Sequence, residues 1–276
     1  MNYDVAIIGA GPGGIYAAYE LCQKTDLKIA VFDAGHELSR RKCPIDGEKV
    51  KTCIKCPVCS IMNGFGGAGA FSDGKYNITN DFGGSLYEYI GKDSALSLMH
   101  YVDEINMKYA GKDVKLYSTA NSEFKKICMQ NDLLLLDASV RHLGTDINYV
   151  VLEHLYDYLK DLVDFYFDTP VKTIKPVDKK YEIFFKDDSI LADQCIVSVG
   201  RSGSKWMEGI CRDLDIPTRS SRVDIGVRVE LPSVIFSHIT DQLYESKIVY
   251  RTKKFEDNVR TFCMNPNGIV VNENTN

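Results

Sequence analysis

Three glycines, four cysteines and one histidine are the residues of this sequence whose types and spacing could do chemistry. Gly9, Gly11 and Gly14 lie between the apolar run 5–8 and the helix-prone stretch 15–22. In a strand–turn–helix, the first such glycine makes the turn, the second lets the backbone approach a pyrophosphate, and the third lets helix and strand pack closely. The helix N-terminus adds free N–H groups and the positive end of the helix dipole. A second apolar run, 28–32, ends at Asp33, about 20 residues past the last glycine, where a carboxylate can bind a ribose hydroxyl. Glycines, flanking strand, helix and terminal acid together read as a dinucleotide site.

Cys43, Cys53, Cys56 and Cys59 are spaced C-x9-C-x2-C-x2-C. Two overlapping C-x2-C pairs could bring thiolates onto one zinc ion, with the upstream cysteine closing a tetrahedron. The same count suits an iron–sulfur cluster, although the bacterial ferredoxin run needs a further cysteine where Asn63 stands. A redox dithiol is the third reading, and four reduced thiols without a joint role the fourth. The other five cysteines fall mostly in apolar segments and read as small core residues. His142 is the candidate for proton transfer, since histidine titrates near neutrality; it also suits a packing role before a helix capped by Thr145 or Asp146. Arg141 suits an anionic substrate or a partner acid. Lys75 and Arg201 suit a cofactor phosphate or ring carbonyl, and equally a solvated surface.

The elements that must position these residues follow from periodicity. Leu96, Met99, Val102 and Ile105 predict a helix over 93–110, and Ile147, Val151, Leu155, Leu159 and Leu162 a clearer one over 146–163. Short strands are expected at 114–117 and 132–138 around a polar helix. Extended segments at 170–176, 181–186 and 194–199 read as a β meander, the last ending at Gly200. From 217 onward the chain reads as β-rich, with strands at 223–231, 246–252, 260–264 and 269–271. Residues 36–84 have almost no sustained periodicity and read as a long ordered loop, a kind that is usually functional.

Within that loop, Gly64–Ala70 is glycine or alanine at every position except Phe65, so backbone can approach a flat or charged ligand. The N-terminal G-A-G-P-G-G with its acid-ended second strand resembles the FAD-binding half of two-domain flavoproteins of the glutathione-reductase type. The fuller string, four cysteines followed by I-M-N-G-F-G-G-A-G-A-F-S-D-G-K, resembles a group of uncharacterised bacterial FAD-dependent dehydrogenases. The strings Arg141–Asp146, Val223–Arg228 and Arg260–Pro266 fit the same group.

The resemblance implies FAD along the first strand, with pyrophosphate on Gly9–Gly14 and adenosine ribose on Asp33. It places Gly67 and Gly69 near the pyrophosphate or isoalloxazine, Val171 near the adenine, and Gly200 on the third FAD-contacting turn. Members of that group continue well beyond the equivalent of Asn276, so the chain is expected to be C-terminally truncated relative to them. The expected fold class is α/β. A Rossmann-like FAD-binding domain with a β meander would span 1–212, and the start of a β-rich substrate domain 213–276. The expected function is an FAD-dependent oxidoreductase or dehydrogenase with a small-molecule substrate and an electron acceptor, neither specified by the sequence. Two other classes are a redox sensor or electron carrier built on the cysteine cluster, and a tRNA-modifying flavoprotein. A plain NAD-dependent enzyme fits less well, because the cysteine–glycine insertion replaces the next helix and strand.

Composition narrows the partners. The 276 residues carry 33 basic and 38 acidic side chains, a net charge of −5. That balance does not attract a phosphate backbone, which speaks against nucleic acid and the tRNA reading. No apolar run approaches the ~18 residues of a membrane span, and the first apolar run reads as a strand rather than a leader peptide. A cytoplasmic location with reduced thiols is therefore expected.

Overall fold

The computed structural model describes residues 1–276 apart from 121, 122, 221, 222, 269 and 271–276. In chain order the elements begin with β1 (Asn2–Ile8), α1 (Pro12–Lys24), β2 (Ile29–Phe32), β3 (Lys75–Ile78), α2 (Tyr87–Ile90) and α3 (Lys92–Ala110). There follow β4 (Leu116–Ser118), α4 (Glu123–Gln130), β5 (Leu133–Leu135), β6 (Ser139–His142), α5 (Gly144–Leu159), β7 (Asp164–Tyr166) and β8 (Val171–Val177). The last are β9 (Lys180–Phe185), β10 (Asp188–Val197), α6 (Ser204–Asp213), α7 (Ser233–Leu243), β11 (Ile248–Arg251) and β12 (Asn258–Arg260).

The chain forms two compact units, each discontinuous in sequence. The first holds Met1–Ser72 and Thr145–Val223, the second Asp73–Gly144 and Asp224–Thr275. The sequence reading placed one boundary, at 212/213. Contiguous sequence carries no mark of a chain that leaves a sheet and returns to it, so the excursion 73–144 was counted with the first domain.

The first unit is a Rossmann-like α/β layer structure. Its six-stranded sheet runs β7-β2-β1-β10-β9-β8. β7, β2, β1 and β10 are mutually parallel, and β10, β9 and β8 form the antiparallel meander. β2 is buried at all four positions, the signature of a parallel strand covered on both faces. Phe32 stacks on Tyr166 with ring centroids 4.5 Å apart, and Ile174, Ile183 and Ile190 of the meander complete the core on that side. α5 buries Val151, Leu152, Leu155 and Leu159, a helical stripe. Phe65 of the long loop packs edge-on against Tyr156 and Phe165.

The second unit contains two three-stranded sheets, β3-β6-β4 and β12-β11-β5, with α2, α3, α4 and α7. Across the two units the structure differs from the sequence expectations at several places. The 36–84 loop contains a strand, β3, and short 3-10 turns at Leu38–Arg40 and Gly67–Phe71. Residues 233–243 form a helix, α7, within the stretch from 217 onward that reads as β-rich. The alternating segment 223–231 forms no strand, and Val223, Ile225, Val227 and Val229 are exposed. Alternation specifies a face, but a strand also needs a ladder partner, and sequence does not show one. Of the expected strand 269–271, only Val270 lies within the described residues.

Candidate functional site

The glycine turn in the first unit is fixed by its own backbone. Gly9 has φ +105°, its N–H donates to the Phe32 carbonyl at 2.7 Å, and a Cβ there would sit 2.8 Å from the Ser198 carbonyl oxygen. A Cβ on Gly14 would lie 1.9 Å from the Gly9 oxygen, so only glycine lets α1 pack this closely on the turn. The Ser198 hydroxyl donates to the Gly9 carbonyl at 3.0 Å, tying the end of β10 to the same turn. α1 begins with Pro12 after Gly11, and no side chain caps its first amides. They remain available to an anion.

Asp33 does more than the sequence suggested. Its Oδ2 accepts the Ala10 N–H at 2.8 Å, and its Oδ1 accepts those of Gly35 and Gly64 at 2.8 and 2.7 Å. One carboxylate thus joins the glycine turn, the end of β2 and the glycine-rich loop. The loop is laid onto the turn: the Gly66 N–H donates to the Ala10 carbonyl at 2.8 Å. A Cβ on Gly67 (φ +55°) would come within 3.1 Å of the Gly11 Cα, and one on Gly69 within 3.6 Å of the Pro12 ring. The Asn148 side chain holds the Gly69 carbonyl at 2.8 Å. Val171 is buried in the meander core, and Gly200 begins the turn after β10 with open space around its Cα.

Residues 7–51 match the NAD(P)-binding Rossmann-like domain, the segment that runs from the end of β1 through the glycine turn, α1, β2 and Asp33. An uncharacterized protein of Clostridium beijerinckii is 25% identical over 96% of this chain, and the chain spans 45% of that relative's length. Among solved structures, glycine oxidase from Geobacillus kaustophilus aligns with TM-score 0.45 and 15% identity over 78% of this chain and 58% of its own. L-amino acid deaminase from Proteus vulgaris aligns with TM-score 0.45 and 14% identity over 78% and 50%. L-α-glycerophosphate oxidase from Mycoplasma pneumoniae aligns with TM-score 0.42 and 14% identity over 76% and 57%. Among the described residues, no helix is long and apolar enough to cross a membrane.

The long loop has an anchor that the sequence reading missed. Arg41 is buried, and its guanidinium donates to three carbonyls: Ser60 at 2.9 Å, Phe65 at 2.6 Å and Ile61 at 2.8 Å. It also lies over the Phe71 ring. Burial pulls this guanidinium down to about 10, against the opposing pull of Asp33 and Cys59, so it stays charged at neutral pH. A basic residue in a charged stretch carries no signal of such burial.

The four cysteines do not form the expected metal centre. All are free thiols, Cys53 exposed and Cys43, Cys56 and Cys59 half-buried, and among the described residues no three His, Cys, Asp or Glu side chains converge to hold a metal ion. In the same loop Asp46 accepts the N–H groups of Glu48, Lys49 and Val50, an Asx-type turn over 46–50. Lys55 (φ +54°) then turns the backbone between Cys53 and Cys56.

His142, Arg141 and Lys75 belong to the second unit. Arg141 is not available to an anionic substrate. It makes a bidentate pair with Asp103, at 2.9 and 2.6 Å, and donates to the Val114 carbonyl. Lys75 is not a solvated charge either: it pairs with the buried Glu245 at 2.7 Å and donates to the Met264 carbonyl at 2.9 Å. Glu245 also pairs with buried Lys247. Burial alone would raise the Glu245 carboxyl, but the bonds from Lys247 and Lys75 outweigh it and hold it below the ordinary carboxylate range. Arg201 is exposed.

His142 ends strand β6 rather than sitting in a turn. Its ring stacks on Tyr244 with centroids 4.2 Å apart, and its Nε2 lies 2.7 Å from the Tyr244 hydroxyl and 3.8 Å from Asp73. Burial lowers the His142 pKa, with Lys75 acting in the same direction and Asp73 and Glu245 against it. Tyr244 is itself held in a γ-turn, with φ +57° and ψ −61°, closed by the Glu245 N–H on the Leu243 carbonyl at 2.7 Å. Such a backbone costs about 1–3 kcal/mol in a non-glycine residue and persists only when its surroundings enforce it.

Proposed function

We propose that this chain carries the cofactor-binding part of an FAD-dependent oxidoreductase acting on a small-molecule substrate. The observation that carries this reading is the meeting of two glycine walls, with Gly67 and Gly69 laid against Gly11 and Pro12 and no side chain capping the start of α1. A Cβ at Gly67 would press on Gly11 from a left-handed backbone, and the small residues on both walls leave the helix N-terminus to fit a diphosphate held by backbone. Asp33 has about four lone-pair sites, and three backbone N–H groups use most of them. What remains suits one ribose hydroxyl. Bound there, FAD would supply the redox chemistry.

In this reading the first unit binds and orients. Gly9 and Gly14 set the turn, Asp33 and Arg41 hold the second wall in place, and Val171 and Gly200 border the adenine side and the third turn, as the resemblance implies. The match to an NAD(P)-binding Rossmann-like domain favours a nicotinamide dinucleotide as the second reading. The cysteines do not fit a metal or cluster, and no step is assigned to one.

The test is to incubate the purified protein with FAD, remove free ligand by gel filtration, and record the visible spectrum and the FAD released on denaturation. NAD and NADP go through the same procedure. Retained FAD supports the reading, and Gly67→Leu should abolish retention while leaving the far-ultraviolet circular dichroism unchanged. Retention of a nicotinamide cofactor without flavin, or of neither, overturns it.

A further inference from the structure

We propose that Tyr244 and His142 form a proton-relay pair in the second unit, with the phenol O–H donated to Nε2 and the buried Lys75–Glu245–Lys247 cluster fixing the pair from behind. As a step in catalysis this rests on the oxidoreductase reading; as a structural pair it does not.

The argument starts from what the backbone tolerates. A helix that must end in a positive-φ residue usually ends in glycine or asparagine, which adopt that conformation with little cost. Here α7 ends on a tyrosine in a γ-turn. That turn carries the Tyr244 ring onto the His142 ring, with an interplanar angle of 27°, and its hydroxyl to 2.7 Å from Nε2. The next residue, Glu245, is fully buried between two lysines, which locks the turn in place. Lys75 is shared by both features, since its ammonium also lies 5.6 Å from the centre of the Tyr244 ring. A conformation with an intrinsic cost is thus over-determined by a buried charge cluster, and its outcome is one short hydrogen bond between two titratable side chains.

Among the described residues, charged and titratable groups face the pair from several elements. Asp73 and Lys75 approach from the β3 side, Tyr117 from β4, and Glu245 from the residue after α7. Burial keeps His142 neutral, and burial together with the charges of Asp73 and Glu245 pushes the Tyr244 phenol up to about 12. At neutral pH the pair is therefore a phenol and a neutral imidazole, and the phenol is the donor. The proton on the imidazole is then on Nδ1. Both residues are only half-buried.

The step moves one proton and no electrons. A substrate O–H or N–H gives its proton to the Tyr244 oxygen as the phenolic proton passes to Nε2. The substrate is left anionic, the phenol is restored, and His142 becomes an imidazolium facing Asp73. Tyr244 is the residue that meets the substrate; His142 is the positioning residue behind it.

The experiment is nitrogen-15 NMR of the histidine rings across a pH titration, in the native protein and in Tyr244→Phe, which keeps ring stacking and backbone and removes only the hydroxyl. In the native protein, His142 should show an unprotonated Nε2 and a protonated Nδ1. In Tyr244→Phe the tautomer ratio should move toward Nε2–H, and the His142 pKa should rise, because a hydrogen bond to the neutral ring has been removed. A dominant Nε2–H tautomer in the native protein, or no change in Tyr244→Phe, overturns the pair. If Tyr244→Phe does not fold, His142→Gln tests it from the other side: glutamine still accepts, so the phenol titration in the near ultraviolet should keep its elevated midpoint, whereas His142→Leu should alter it. An unchanged midpoint in His142→Leu overturns the pair. These readouts need no cofactor, so failure to bind FAD and failure of the pair are separate results.

Discussion

Replacing Arg41 by methionine should collapse the long loop while leaving the sheet beneath it intact. The guanidinium is buried and satisfies three carbonyls that lie on the loop, Ser60, Ile61 and Phe65. Methionine keeps the apolar contact with Phe71 but leaves all three carbonyls without their donors. Hydrogen bonds from a charged donor contribute about 1.5–3 kcal/mol each, partly offset by the cost of burying the charge. A net loss of about 3–5 kcal/mol follows, or about 10 °C in Tm for a unit of this size. Arg41→Lys keeps the charge but cannot fork to three acceptors, so it should recover less than half of the loss. Calorimetry measures the first effect. Limited trypsin digestion measures the second, because Lys49, Lys51 and Lys55 sit on the loop that Arg41 anchors and should be cut early in Arg41→Met. A loss under about 1 kcal/mol with an unchanged digestion pattern would refute the anchor.

Three further outcomes are expected. Gly14→Ala should prevent α1 from seating on the turn, since its Cβ would meet the Gly9 oxygen at 1.9 Å; a cost of about 3 kcal/mol or more should appear in denaturant unfolding, with native-like stability as the contrary result. Glu245→Gln leaves Lys75 and Lys247 buried without their counter-charge and should cost about 3–5 kcal/mol, whereas Glu256→Gln on the exposed surface should change unfolding midpoints little. His142 has a folded pKa below its unfolded value, so the unfolded state binds more protons in that window. Stability should fall as pH drops below about 6.5 toward the folded pKa and level off beneath it; His142→Phe should flatten this part of the pH–stability curve, and an unaltered slope would contradict the assignment.

The parts of the fold that were legible in sequence are those in which neighbours in the chain are also neighbours in space. Gly9, Gly11 and Gly14 sit on one strand–turn–helix, and their φ values and close packing follow from local geometry. The stripes of α3 and α5, and the meander's alternation, are likewise local. The cysteine spacing was also local, but it specified only a capacity. Whether the thiols converge depends on the loop's path, and among the described residues no three metal-ligating side chains do. Arg141 could be read only as a cation for a substrate or an unnamed acid, and Lys75 only as one for a cofactor or solvent, because Asp103 and Glu245 lie far along the chain from them.

What the sequence by itself determined is the dinucleotide-type turn, its acid-ended second strand and the α/β class. Each rests on backbone sterics and hydrophobic periodicity within a few tens of residues. What only the tertiary structure decided is where the charges go. Asp33 is expected at a ribose and also joins three backbone segments; Arg41 carries no signal in the sequence and is a buried anchor; His142 suits proton transfer or packing by sequence and is paired with a strained tyrosine. Burial of a polar group is favourable only when distant partners satisfy it, and sequence order does not specify which distant groups those are.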